Sequence, residues 1–185
     1  MAKKSLIPNN WQLKIKWNIK LFYLINSKRN RFLDKFYKYF YLMGKSYSIP
    51  IFLPFFYLEG GKKAVIHLMV SLLLTGIMMP VLKYTFRHQR PVKLLDNVFL
   101  LEPVSLKSFP SADTALAFTI LGVITFYGTP LIILIFSIYA FLIAFGRIYM
   151  GAHFPIDVLT GAILGILSAF IGNFLMVNLS NIQIL

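Results

Sequence analysis

The sequence predicts an all-α integral membrane protein: a bundle of about five transmembrane helices, or six, behind a basic segment at the membrane interface. Three observations carry this expectation. The 185 residues are 58% hydrophobic with a mean hydropathy of +0.71, too apolar for a soluble domain of this length. Apolar runs long enough to cross the hydrocarbon recur along the chain. The charge is segregated: all but one of the 19 Lys and Arg residues lie at or before Lys107.

Residues 1–35 form the basic segment, with Lys3, Lys4, Lys14, Lys16, Lys20, Lys28, Arg29, Arg31 and Lys35 set among Trp11, Trp17, Phe22 and Tyr23. Such a stretch can coat a membrane surface, and its charges interrupt any transmembrane run or signal-peptide core. From Trp11 to Leu21 apolar and polar residues alternate, which is not the period of an amphipathic helix. A transmembrane domain over 36–185 follows. Its first span is predicted over 40–58, with Pro50 and Pro54 inside it, and its second over 64–84. After a polar connection come spans over 112–126, 130–145 and 156–177, with Gly128 and Pro130 marking a tight turn.

With five crossings, the end of the second span, the start of the third, the end of the fourth and the start of the fifth share one membrane face. The polar clusters fall at those four places. From Ser108 onward the only Asp, Glu, Lys, Arg or His residues are Asp113, Arg147, His153 and Asp157. Ionisable groups at membrane depth cost several kcal/mol each, so these four read as functional.

Pro155 suits the first turn of a helix, which places His153 just before that helix and Asp157 within reach of the imidazole. A carboxylate on one ring nitrogen fixes the tautomer and leaves the other as nucleophile or base. The same spacing also suits a buried ion pair or an N-terminal carboxylate cap. Upstream, Lys83, Arg87, Arg90 and Lys93 leave the second span; Arg87 and Lys93 read as interfacial anchors. Ser111 before an apolar run is an ordinary N-cap, yet the same helix start, with Ala112, offers free N–H groups to an anion. Cations, a helix N-terminus and an oriented histidine are what phosphoryl transfer requires.

In these residues the chain resembles the type 2 phosphatidic acid phosphatase superfamily, over roughly residues 25–177. Lys83 followed after six residues by Arg90-Pro91 fits its first motif. Pro110-Ser111-Ala112-Asp113 fits the second in part, and Gly146-Arg147, five residues, His153, three residues, Asp157 fits the third with its leading serine replaced. The resemblance implies that His153 forms a phosphohistidine and that Asp157 orients it. Lys83, Arg90, Ser111, Ala112 and Arg147 would bind phosphoryl oxygens. It implies no metal and no cofactor, and the absence of cysteine independently excludes disulfides and thiolate sites.

Asp113 stands where the family carries a histidine that serves as general acid. Surrounding cations favour its ionised form and make it a poor proton donor. The substrate would then need a good leaving group: the 1-phosphate of lipid A or a polyprenyl pyrophosphate, in preference to phosphatidate. His88, from the first motif, is the alternative donor. The short chain and basic N-terminus look most like the bacterial lipid A 1-phosphatases, with undecaprenyl pyrophosphate phosphatase and phosphatidylglycerophosphate phosphatase as alternatives. A phosphotransferase would use the same residues. A non-enzymatic lipid or ion pathway would not need the imidazole–carboxylate spacing. The expected partners are the bilayer and a lipid phosphate, with no nucleic acid and no obligate protein. The expected location is the bacterial inner membrane with the site facing the periplasm, although the basic N-terminus on the site's own face runs against the positive-inside rule.

Overall fold

A computed structural model describes residues 10–103 and 107–181; Lys3 and Lys4 of the basic segment lie outside them. Among the described residues every regular element is helical. Three segments, Ser46–Leu94, Pro130–Tyr149 and Pro155–Asn178, are long and apolar enough to cross a membrane, and Ala112–Ile124 is a shorter apolar helix.

The chain enters through a 3₁₀ turn at Trp11–Lys14, helix α1 (Lys16–Asn26) and helix α2 (Arg31–Phe40), whose N-cap Asn30 accepts from the N–H groups of Phe32 and Leu33. Eleven residues give α1 a length of about 16 Å, too short for a crossing. Its buried face is Asn18, Phe22 and Asn26, spaced by four. Two of these are polar, which is why hydropathy alternation did not reveal the helix. The asparagines serve the backbone. Asn18 accepts from Ile156 N–H at 3.0 Å; Asn26 donates to the carbonyls of Phe99 and Tyr149, both at 2.9 Å.

The first span differs from expectation at its start. Residues 41–44 and 46–48 are 3₁₀ turns, and α-helix begins only at Ile49, where Pro50 occupies the first turn. Helix α3 (Ile49–Phe86) is two arms, 49–60 and 62–86, broken at Gly61 with φ 62° and ψ −154°. The arms fold back on each other. A straight helix would hold Ile49 and Thr75 about 39 Å apart, yet both line one groove. Only glycine enters this backbone region readily, and the neighbouring Gly60 packs where a Cβ would meet Tyr127 at 2.6 Å.

After a short turn, α4 (Pro91–Leu94), the chain returns through helices α5 (Ala112–Ile124), α6 (Pro130–Tyr149) and α7 (Pro155–Asn181). Helix α5 is apolar all round and is enclosed by α3, α6 and α7, so it forms the centre of the bundle. It meets α7 closely: a Cβ on Gly161 or Gly165 would meet the carbonyl of Ser111 at 2.5 Å or of Ala115 at 2.3 Å. Large apolar side chains such as Leu73, Ile77, Phe141, Ile163 and Phe174 face outward, as lipid requires. The turns after the first arm and after α5 meet at the far end, where Thr129 N–H donates to Glu59 at 2.9 Å. The other ends, with α1 and α2, gather at the opposite face.

Candidate active site

His153 lies in the connection between α6 and α7, held by its own N–H donating to the Arg147 carbonyl at 3.1 Å. Gly151, with φ +74°, turns the chain just before it against the backbone of Phe99. The imidazole is buried between two environments. Its Nδ1 faces Asp157 Oδ2 at 3.6 Å and Ser108 Oγ at 3.5 Å; its Nε2 faces Arg90 Nη1 at 3.2 Å. Burial pushes the imidazole well below its ordinary value, and the charges of Arg90, Arg147, Lys83 and Lys45 push the same way. The ring is therefore neutral, with one nitrogen turned toward the carboxylate and the other toward a cavity.

Asp157 is fully buried and held from several sides. Ser108 Oγ and Phe154 N–H, the latter at 3.1 Å, donate to Oδ2, and Gln12 Nε2 donates to Oδ1 at 2.8 Å. It stands behind His153 and does not line the cavity.

The cavity holds about 140 Å³ and is lined by Lys45, Lys83, Arg90, Glu102, Pro103, Ala112, Asp113, Arg147 and His153. Here the topology has brought the three polar motifs together. Arg147 is buried, with Nη2 paired to Glu102 and at 3.2 Å from Asp113, while its Nε and Nη1 have no hydrogen-bond partner among the described residues. Such buried donors are costly unless something accepts from them. Arg90 Nη1 also donates to the Ala152 carbonyl at 2.7 Å, which fixes its head beside the imidazole. Ser111 is the N-cap of α5, but its hydroxyl pairs with Thr114 Oγ1 at 2.9 Å and makes no cap bond. It does not line the cavity; the next residues, Ala112 and Asp113, do, at the end of α5 whose first N–H groups have no partner within the helix.

Asp113 is ion-paired, with Oδ2 at 2.8 Å from Lys45 Nζ and 3.2 Å from Arg147. His88 does not share the cavity. It is buried in an aromatic cluster with Phe86 and Phe109 and receives Trp11 Nε1 at 2.8 Å. Arg87 and Lys93 are exposed.

Four cavity or supporting residues were not read from the sequence. Lys45 is the cation that interrupts the first apolar run, and Glu102 is one of only six acids in the chain; both were visible as anomalies. Ser108 adjoins the second motif. Gln12 carried no signal. Lys45, Lys83, Ala112 and Asp113 also line a second, mostly apolar groove of about 330 Å³, continued by Ile49, Leu72, Met79 and Leu116 between the α3 arms and α5. The charged cavity and the apolar groove thus share these four residues as a common wall.

Residues 64–180 match the PAP2 superfamily. An undecaprenyl-diphosphatase of Sulfolobus acidocaldarius is 30% identical over 155 residues, covering 82% of this chain and 74% of that protein. The crystal structure of Aquifex aeolicus LpxE superposes with a TM-score of 0.80 at 40% identity, covering 84% of this chain and 94% of that one. A transmembrane PAP2 type phosphatidylglycerolphosphate phosphatase from Bacillus subtilis shares the fold at a TM-score of 0.72 and 20% identity, over 88% of this chain and 86% of that one.

Proposed function

The chain belongs to the PAP2 superfamily, and from that premise we propose that it hydrolyses a lipid phosphate at the cavity beside His153, most closely the 1-phosphate of lipid A. The observation that carries the reading is the junction of the two spaces. A phosphoryl group fits among Lys83, Arg90 and Arg147, and an attached lipid chain continues into the groove between the α3 arms and α5.

In the reaction so read, Nε2 of His153 attacks phosphorus and the bond to the lipid oxygen breaks. Asp157 holds Nδ1–H and stabilises the positive charge the ring acquires. The two unpartnered donors of Arg147, the Arg90 head, Lys83 and the start of α5 at Ala112 take the phosphoryl oxygens. Arg90 leaves Nε2 for the incoming oxygens. Water then cleaves the phosphohistidine to free phosphate. Asp113 is engaged as an acceptor by Lys45 and Arg147, so we assign it no part as donor and the leaving oxygen departs as an anion. An anomeric oxygen or a second phosphate can do so. The similarity to Aquifex aeolicus LpxE, together with the likeness of the motifs and basic N-terminus to lipid A 1-phosphatases, favours the first. The similarity to an undecaprenyl-diphosphatase keeps a polyprenyl diphosphate as the second reading.

The protein is a membrane protein; we place it in a bacterial inner membrane with the site facing the periplasm, where the Lys and Arg of that face have a second use in attracting an anionic lipid. The test is phosphate release by detergent-solubilised protein, wild type against His153→Ala, on lipid A, undecaprenyl diphosphate and phosphatidylglycerophosphate, with a chelator present. Activity lost only in the mutant supports the mechanism. Equal release by both would overturn it.

A further inference from the structure

Gln12 is 0% exposed and lies far in sequence from every motif, outside the residues that match the family. Its Nε2 donates to Asp157 Oδ1 at 2.8 Å, the oxygen that neither His153 nor Ser108 uses. Its Oε1 is buried and finds no partner among the described residues. A buried carbonyl left unpaired costs stability, and an apolar side chain of the same length would not bear that cost. Packing therefore does not explain a glutamine at this position. Its donor does: an ionised carboxylate only accepts, so the amide must turn its NH₂ to Asp157 and leave the oxygen stranded.

The segment around Gln12 is pinned to the catalytic face on both sides. Trp11 Nε1 reaches the His88 ring in the first motif. Asn18 donates to the Gln12 carbonyl at 3.2 Å and accepts from Ile156 N–H, one residue before Asp157. The amide is thus placed by the same helix start that carries the carboxylate.

We propose that Gln12 is a positioning residue for the phosphatase reaction, acting through Asp157: its amide fixes the plane of the carboxylate so that Oδ2 stays aimed at His153 Nδ1. This rests on the reading of His153 as nucleophile. A chain segment that belongs to no motif thereby completes the nucleophile's support.

Stability and rate separate this from a packing role. Full-length Gln12→Met fills the same space without a donor. Its melting temperature in detergent should change little, because loss of the stranded carbonyl offsets loss of the donor to the buried Asp157 Oδ1. Its kcat should fall about tenfold to a hundredfold, the range for partners one step behind a working histidine, with KM within about twofold. Wild-type kcat in Gln12→Met overturns the proposal, as does a loss confined to KM. If Gln12→Met does not fold, Gln12→Ser is judged by the same split between kcat and KM. His153→Ala is run alongside: if it keeps wild-type kcat, the nucleophile reading itself fails; if it is inactive while Gln12→Met is not impaired, only the role of Gln12 fails.

Discussion

At His153 the charge balance decides the pH behaviour. The ring is held neutral first by burial and then by Arg90, Arg147, Lys83 and Lys45, so its protonation lies below the ordinary histidine value of 6.5. On the proposed mechanism the neutral ring attacks phosphorus, so kcat/KM should stay level as pH falls through 6.5 and drop only at lower pH, read from initial rates across pH 5–8. A break at 6.5 would mean that the surrounding cations are not felt. The unfolded chain takes up that proton at about 6.5 while the folded one resists it, so this histidine's contribution to stability is present above 6.5 and is lost as pH falls below it. Asp113 makes a second prediction. Asp113→His restores a proton donor beside the cavity and should raise activity on a poor leaving group such as phosphatidate relative to the wild-type substrate, whereas Asp113→Asn should not. An unchanged preference in both would refute the leaving-group argument. The His153–Asp157 pair was legible from its spacing, and Arg147, Lys83 and Arg90 from topology together with the family motifs they fit. Lys45 and Glu102 were not, because their partners, Asp113 and Arg147, come from other helices and are met only in the folded bundle.

Among the elements, the α3 hairpin is the sharpest case. Apolar runs on either side of Gly60-Gly61 announced two spans, but nothing in hydropathy says that one glycine can reverse a helix. The conformation of Gly61 lies where a side chain is strained, and open space around it means that strain is the whole effect. Gly61→Ala should therefore cost about 1–3 kcal/mol, seen as a lower melting temperature in detergent; no change would mean that the turn is not as described. The start of the first span was misplaced for a related reason. Residues 40–48 are apolar enough to extend a helix, yet the 3₁₀ turns there bring Lys45 to Asp113, and Gly44 lies against Ile143 with little room for a side chain. Composition reports what lipid will accept, while the chain's path follows what the site requires. The α5–α7 contact was equally hidden. Gly161 touches the Ser111 carbonyl, so helix spacing there sets the height of the helix start that faces the cavity.

For the whole molecule, the α3 arms and helices α5–α7 set the Gly61 turn and the candidate site at opposite ends of the bundle, which the sequence reading expects at opposite membrane faces. The chain has no cysteine, so single cysteines report this directly. Lys62→Cys and Lys93→Cys, both at exposed positions, should differ in reaction with a membrane-impermeant maleimide in intact cells, and only Lys93→Cys should label if the site faces the periplasm. Equal labelling of the two would contradict the topology. The bundle and its shared face were legible as an order of apolar runs. That the N-terminal segment is built into this face was not, since its buried residues are mostly polar and matter only for the bonds they make. The carboxylates of Glu102 and Asp113 have a last consequence. They line the cavity with Lys45, Lys83, Arg90 and Arg147 and are ion-paired to Lys45 and Arg147, so two of these cations already have resident counter-ions. On the proposed mechanism a phosphoryl group shares Arg147 with these tethered anions, and after hydrolysis the same carboxylates compete with the small product for it. On that same mechanism the two carboxylates thereby hold down the affinity for inorganic phosphate and favour its release.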